Sequence, residues 1–395
     1  MISVEEATEL VHSEHWAPSI EHISIFQSLG RVLAQDVFAD RAFPPFDRVM
    51  MDGIAIRKSD FDNGVREFEI SGLLPAGSAS MKLPEGSFCL EIMTGAVMAS
   101  NADVVIRYED IEIENGRAKV VIDQVSHFQN IHAQESDRKI GSLLIPASTS
   151  IGPAEVGVLA TVGVSEVPVL SLPRVLIVST GDELVDIGET PLPHQIRKSN
   201  VHMLESLCDS YGLASKRIHL TDNLDEIVDS LRKEFAHTDV VLLSGGVSKG
   251  KLDFLPEALE ILGIKKLFHR VAQRPGKPFW FGRNQGLTVF AFPGNPASTF
   301  MCAKRYFEPW LRTSIKMKSA DGFAVLTEHF AFKPNLQYFL QCKTETKSDG
   351  MSYAAPVPGQ GSGDLANLID ADSFMELPAE RANFEAGEAF PIWKF

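Results

Sequence analysis

Ten consecutive residues, Ser244-Gly245-Gly246-Val247-Ser248-Lys249-Gly250-Lys251-Leu252-Asp253, combine three glycines, two lysines and a carboxylate. Glycines let backbone N–H groups approach an anion closely. Lys249 and Lys251 can neutralise it, and Asp253 can hold Mg2+ through water, the usual mode for that ion. The segment is neither a Walker A motif nor a GxGxxG fingerprint. A solvated loop is the plain alternative; the position directly after the apolar run Val240-Val241-Leu242-Leu243 favours a ligand site. Ser179-Thr180-Gly181-Asp182-Glu183 follows a second such run, Val175-Leu176-Ile177-Val178. Its acids fit a helix start that complements the macrodipole at least as well as they fit a site. Arg274-Pro275-Gly276-Lys277-Pro278 and Phe292-Pro293-Gly294-Asn295-Pro296 complete the set. The last could aim a helix N-terminus at the same crevice, or could be a plain turn.

Charge supports an anionic ligand. Residues 261–307 carry eight basic side chains (Lys265, Lys266, Arg270, Arg274, Lys277, Arg283, Lys304, Arg305) and no acid, within a chain of net charge −15. That segregation beside the glycine segments is a local anion signal. The acidic whole offers no general attraction to nucleic acid or anionic lipid, so neither is expected as a partner. The four cysteines and the histidines lack metal-ligand spacing, so no protein-ligated zinc is expected. The N-terminal residues lack a basic and apolar leader, which suggests a cytoplasmic protein. The apolar stretch around Val156–Val164 is too short to span a membrane.

These segments need a scaffold. At 395 residues the chain exceeds one ordinary core. Ser3 and Glu6 form a capping-box pattern for a helix over residues 3–14, with a second helical signal near Ile25–Leu33. Residues 46–141 hold short strand-like runs and read as an inserted β-rich domain. Residues 142–170 read as Gly-punctuated strands that rejoin residues 1–45. From 171 to 313 apolar strands alternate with helical segments, with Asn200 a candidate cap and Pro296–Leu311 a candidate helix. This alternation predicts an α/β domain with a parallel sheet, whose ligands bind beyond the carboxyl ends of the strands. Residues 314–395 read as a C-terminal β-barrel or sandwich.

The chain also resembles the molybdopterin molybdenumtransferase family, the molybdenum insertases that include the C-terminal domain of gephyrin. The resemblance spans nearly the whole length. It rests on Gly30-Arg31-Val32-Leu33-Ala34, Met51-Asp52-Gly53, Met93-Thr94-Gly95-Ala96, Ser179-Thr180-Gly181-Asp182-Glu183-Leu184, Ser244-Gly245-Gly246-Val247-Ser248, Pro275-Gly276-Lys277-Pro278, Phe292-Pro293-Gly294-Asn295-Pro296 and Gly361-Ser362-Gly363, in the family's order. It implies an elongated homodimer with four domains per subunit. It implies a reaction in which adenylylated molybdopterin and molybdate, with Mg2+, give molybdenum cofactor and AMP. The implied cleft lies between the α/β domain of one subunit and the β-rich domain of the other.

Family functional positions fall on Asp52, Thr94 and Asp137, on Glu183, Asp222, Asp253 and Lys277, and on Ser362. Asp222 and Asp253 would serve Mg2+. Substrate binding would involve Ser179, Thr180, Gly181 and Asp182, then Ser244, Gly245, Gly246, Ser248 and Gly250. Arg274, Pro275, Gly276 and Lys277 would join them, with Pro293, Gly294, Asn295 and Ser362. The chain departs from the family pattern at Val49, at Glu135-Ser136, at Arg274 for Lys, and at Gln341 near a usual Arg. A molybdopterin adenylyltransferase and cofactor-accepting molybdoenzymes would be its neighbours in the pathway. Two other readings stay open: a molybdopterin adenylyltransferase, or a non-catalytic pterin-binding scaffold.

Overall fold

The structure is a computed structural model describing residues 1–247, 254–318 and 322–395. Ser248, Lys249, Gly250, Lys251, Leu252 and Asp253 therefore lie outside the described residues. The chain forms two compact units: residues 1–34, 148–152 and 167–395, and residues 35–147 and 153–166.

In the larger unit, alternate residues of the apolar runs face opposite ways, as a strand requires. Val175 and Ile177 join Val240 and Leu242 in one core, while Leu176 and Val178 join Val241 and Leu243 in another. The result is a sheet covered on both faces. Its strands are β1 Val175–Thr180, β2 Ser215–Leu220, β3 Val240–Ser244, β4 Lys265–His269, β5 Trp280–Arg283 and β6 Thr288–Phe292, in spatial order β2-β1-β3-β6-β5-β4. β2, β1, β3 and β6 run parallel, as the βα alternation predicts. β4 and β5 form an antiparallel edge. Sequence reading found no strands there, because the turn residues Pro275–Pro278 interrupt the apolar pattern between them.

Helix α1 (Asn200–Ser210) packs Val201, Leu204, Leu207 and Cys208 into the first core. Helix α2 (Leu224–Phe235) packs Ile227, Val228 and Leu231 into the second. Asn223 caps α2 by accepting from the Asp225 and Glu226 amides. Asn200 is not a cap: it is the first helical residue of α1, and its side chain is engaged elsewhere. α3 (Leu255–Ile261) follows the residues left undescribed, and α4 (Pro296–Cys302) follows β6. Beyond α4 the helical path continues through a π-helical turn, Ala303–Phe307, into a helix over Glu308–Ser314.

The N-terminal capping box forms as expected, with Ser3 and Glu6 bonded reciprocally at the start of the helix Val4–Ser13. The second helical signal yields only a 3-10 turn, Ile25–Gln27. Gly30 sits at φ +78°, and Val32 and Leu33 beyond it bridge in extended form to Ser150 and Val169. Left-handed Gly30 ends any helix there.

At the C-terminal end, β7 Gly322–Leu326, β8 Gln337–Thr346, β9 Ser352–Pro356, β10 Ser373–Leu377 and β11 Ala389–Lys394 run in the order β8-β9-β7-β11-β10. Pairing of β8 with β10 closes a five-stranded barrel. A short strand, Gln273–Arg274, adds parallel to β8 at Gln337–Tyr338.

The smaller unit holds a six-stranded sheet. Its strands also alternate between two cores, with Ala55 and Val105 in one and Ile54, Ile56, Val104 and Ile106 in the other. It also contains a helix, Pro153–Thr161, where the sequence reads as strands. A short apolar run is ambiguous by periodicity; here Pro153 opens the helix and Glu155 lies in its first turn. Among the described residues no helix is long and apolar enough to cross a membrane.

Candidate functional site

Parallel register aligns the strand ends laterally. Ser179 of β1 lies opposite His219 of β2 and Ser244 of β3, and Ser244 lies opposite Phe292 of β6. Beyond them opens a cavity of about 1030 Å3, walled by Ser179–Gly181 and Glu183, Asp222, Ser244–Val247, Gln273–Pro278 and Pro293–Ser298. Leu336, Tyr338, Gln341 and Pro358–Gly363 from the barrel end of the unit complete the wall.

Side-chain amides hold these loops to one another. Asn200 Nδ2 donates to Ser244 Oγ at 2.8 Å and to the Gly294 carbonyl at 2.7 Å, so one amide ties the ends of β3 and β6. Asn295 Nδ2 donates to Ser362 Oγ at 2.7 Å, and the Ala297 amide donates to the Ser362 carbonyl at 3.2 Å. Gly246 needs to be glycine: at φ +66° a Cβ there would lie 2.6 Å from Leu255 Cδ1 and 2.9 Å from Thr180 Oγ1.

The turn Arg274–Lys277 is fixed from beneath. Gln273 is fully buried; its Nε2 donates to the Gly276 carbonyl at 3.1 Å, and its Oε1 accepts from the Tyr306 hydroxyl. The π-helical turn carries that tyrosine. Arg274 lies 5.8 Å from the Phe332 ring, which stacks on Tyr338 at 4.2 Å. Lys277 and Arg274 are both exposed, available to an anion in the cavity.

The rest of the basic segregation does other work. Arg305 forms a buried pair with Glu376 at 2.9 Å, Lys304 pairs with Glu308, and Arg283 pairs with Glu14. Of the eight basic residues in that stretch, only Arg274 and Lys277 line the cavity. Arg197 and Lys198, which sequence reading did not single out, line it as well. Lys198 binds Asp186 at 3.0 Å and keeps that carboxyl below its ordinary range.

His219 was also missed. Its Nδ1 lies 2.9 Å from Ser179 Oγ. Burial, and then the Lys198 charge, push the imidazole below its usual pKa despite the Ser179 hydrogen bond and the Asp186 and Asp182 carboxylates. Two polar partners opposite each other on neighbouring strands are visible only once the sheet order is known.

Glu183 and Asp222 face the cavity, whereas Asp182 stands off its wall and accepts from the Asp222 amide at 3.5 Å. These oxygens suit a hard cation such as Mg2+. Asp253, the second residue expected to serve that ion, lies outside the described residues, as do Ser248 and Gly250. Among the described residues no group of three or more His, Cys, Asp or Glu side chains is arranged as a metal site.

The smaller unit gathers the remaining candidates around one short strand, Arg48–Val49. It pairs with Ile131–His132 on one side, and Arg48 bridges Val97 on the other. Val49 itself is core, exchanging backbone bonds with the Thr94-Gly95-Ala96 segment. Thr94 donates twice to Asp52 Oδ1, from its amide at 2.6 Å and its hydroxyl at 2.8 Å. Those two bonds hold the Asp52 carboxyl below the usual aspartate range. Gly53 beside it has no room for a Cβ, which would collide with the Ile106 carbonyl. Asp137 Oδ1 lies 2.8 Å from His132 Nε2.

Three family models cover the chain: the MoeA N-terminal region (domain I and II) over residues 2–163, a probable molybdopterin binding domain over 176–313, and the MoeA C-terminal region (domain IV) over 323–395. A molybdopterin molybdenumtransferase of Synechocystis is 38% identical, with 100% of both chains covered. One of Bacillus subtilis is 30% identical over 99% of this chain and 93% of its own. The crystal structure of a molybdopterin biosynthesis MoeA protein from Pyrococcus horikoshii matches with a TM-score of 0.83 at 29% identity, covering 100% of this chain and 99% of that one.

Proposed function

The chain belongs to the molybdopterin molybdenumtransferase family of molybdenum cofactor biosynthesis, and on that premise we propose that it inserts molybdate into adenylylated molybdopterin with Mg2+, releasing AMP. The observation that carries this reading is the convergence of three strand ends and the Arg274–Lys277 turn on one cavity of about 1030 Å3. That is ample for a nucleotide-sized ligand. Its wall offers backbone and amide donors with exposed cations, the groups that phosphates require.

Lys277 and the backbone from Ser244 to Gly250 hold the phosphates, with Arg274, Lys249 or Lys251 assisting. Ser179, Thr180 and Gly181 shape one wall of the substrate pocket, with Asp182 behind it accepting from the Asp222 amide, and Pro293, Gly294, Asn295 and Ser362 shape another. Asp222 and Asp253 hold Mg2+, which when bound neutralises and polarises the anhydride. Glu183 orients water or moves a proton at an oxo group. Asp52, Thr94 and Asp137 complete the site from a second copy of the chain, so the working form is a homodimer. The four domains comprise residues 1–45 with 142–170, then 46–141, 171–313 and 314–395. The protein works in the cytoplasm, receiving substrate from a molybdopterin adenylyltransferase and passing cofactor to molybdoenzymes.

Purified protein given adenylylated molybdopterin and Mg2+ should release AMP only when molybdate is added. AMP release indifferent to molybdate would sink the insertase reading. Adenylylated product from ATP and molybdopterin without molybdate would favour an adenylyltransferase. Binding of adenylylated molybdopterin without AMP release would indicate a scaffold. Asp253→Ala should abolish release; turnover at the unmodified rate would remove the metal role of Asp253.

A further inference from the structure

Arg48 and His132 face each other across the antiparallel pair Arg48–Val49 and Ile131–His132, in direct register. Arg48 Nη2 lies 3.1 Å from His132 Nδ1, and His132 Nε2 lies 2.8 Å from Asp137 Oδ1. The direction of these bonds is not free. A guanidinium only donates, so His132 Nδ1 must accept and carry no proton. The ring proton then sits on Nε2 and is donated to Asp137. Arg48 thus selects one tautomer, and that tautomer points a single donor at the carboxylate.

The turn bearing Asp137 is anchored independently. The Asp137 amide donates to the Phe43 carbonyl at 2.9 Å, and the Gln134 amide donates to Asp47 Oδ1 at 2.8 Å. Backbone anchoring fixes where Asp137 stands but not the rotation of its carboxyl. Ser136 Oγ, at 3.4 Å from the same oxygen, is a weaker constraint.

We propose that His132 is a positioning residue for Asp137: held as its Nε2–H tautomer by Arg48, it fixes the carboxylate through one directed hydrogen bond. The inference rests on the reading of Asp137 as part of the insertase site.

Two measurements on the full-length chain test it. In protein labelled with 15N-histidine, the His132 signal, assigned by its loss in His132→Gln, should report a bare Nδ1 and a protonated Nε2. The opposite tautomer overturns the proposal. In the AMP-release assay, His132→Phe keeps ring volume but removes both nitrogens. It should lower kcat by about 100-fold, with KM for adenylylated molybdopterin changed less than about twofold. His132→Gln, whose amide reaches as far as Nε2, should recover most of the loss. His132→Asn, which reaches only as far as Nδ1, should not. A His132→Phe protein that keeps kcat, or a loss that Gln and Asn repair equally, overturns the proposal. The tautomer is read without substrate. If the unmodified chain fails to release AMP, the functional reading falls while the His132 geometry is still decided.

Discussion

Asn200 shows how much one side chain can organise. Its amide hydrogens bind two loops fifty residues apart in sequence, at Ser244 and Gly294. Asn200→Ala should cost about 1 kcal/mol for each lost bond and let the two loops part. The expected result is a raised KM for adenylylated molybdopterin with a modest fall in thermal midpoint. Asp52 offers a second check at this scale. Its carboxyl is held below its ordinary value of 3.8 by the Thr94 amide first and the Thr94 hydroxyl second. A depressed folded-state pKa stabilises above the unfolded value, and the effect is lost as pH falls through the folded one. Thr94→Val keeps the amide and removes the hydroxyl. An NMR titration should then show Asp52 titrating closer to 3.8 than in the unmodified chain. At the residue scale the sequence was legible where glycines and prolines clustered, as at Gly245-Gly246 and Pro275-Gly276. It misassigned Asn200 as a helix cap and was silent on His219 and His132. Their partners lie forty residues or more away at Ser244, Ser179 and Arg48, or are set by cross-strand register, and a one-dimensional pattern carries no register.

The elements divide by the kind of signal that announces them. Runs buried on both faces, such as β1, β3 and β6, were plain because every residue in them is buried. The antiparallel strands β4 and β5 were not: exposed Lys265 and Lys266 break the apolar run in β4, and β5 is only the four residues Trp280–Arg283. The helical stretch from Pro296 was readable, but its π-helical turn was not, because an added residue per turn leaves no mark on composition. That turn places Tyr306 under the Arg274–Lys277 loop. Tyr306→Phe would leave the buried Gln273 oxygen without its donor, a cost of about 1–3 kcal/mol. Calorimetry should show the lower midpoint, and KM should rise as the loop loosens. Gly276→Ala should be worse. At φ +93° its Cβ would sit 2.6 Å from Cys302 Sγ and 2.7 Å from Gln273 Nε2. Backbone strain alone costs about 1–2 kcal/mol there.

Across the whole molecule, the candidate residues divide between the two compact units. Ser179, Ser244 and Lys277 lie in one, and Asp52, Thr94 and Asp137 in the other. If two copies of the chain complete each site, Asp52→Ala and Lys277→Ala chains should each be inactive alone. Mixed and reassembled, they should regain activity in about a quarter of the sites, the share expected from random pairing in a symmetric dimer. No recovery in verified mixed dimers would place each site within one chain. The two units interleave along the sequence, with residues 148–152 returning to the larger one. The expected inserted domain began at residue 46, whereas the smaller unit begins at Gln35 and takes in the helix Pro153–Thr161.

The short strand Gln273–Arg274 leaves the α/β region to pair with β8 of the barrel. A chain shortened to end at Ile315 would retain all six strands of the sheet and the glycine segments. It would nevertheless lose the lateral partner of Gln273–Arg274, the Phe332 ring near Arg274, and the Ser362 contacts to Asn295 and Ala297. The cation-bearing turn is therefore a seam rather than a loop. An α/β part cut free of the barrel would keep its sheet yet present the Arg274–Lys277 turn without the strand partner, and Asn295 and Ala297 without the Ser362 bonds, that hold them here.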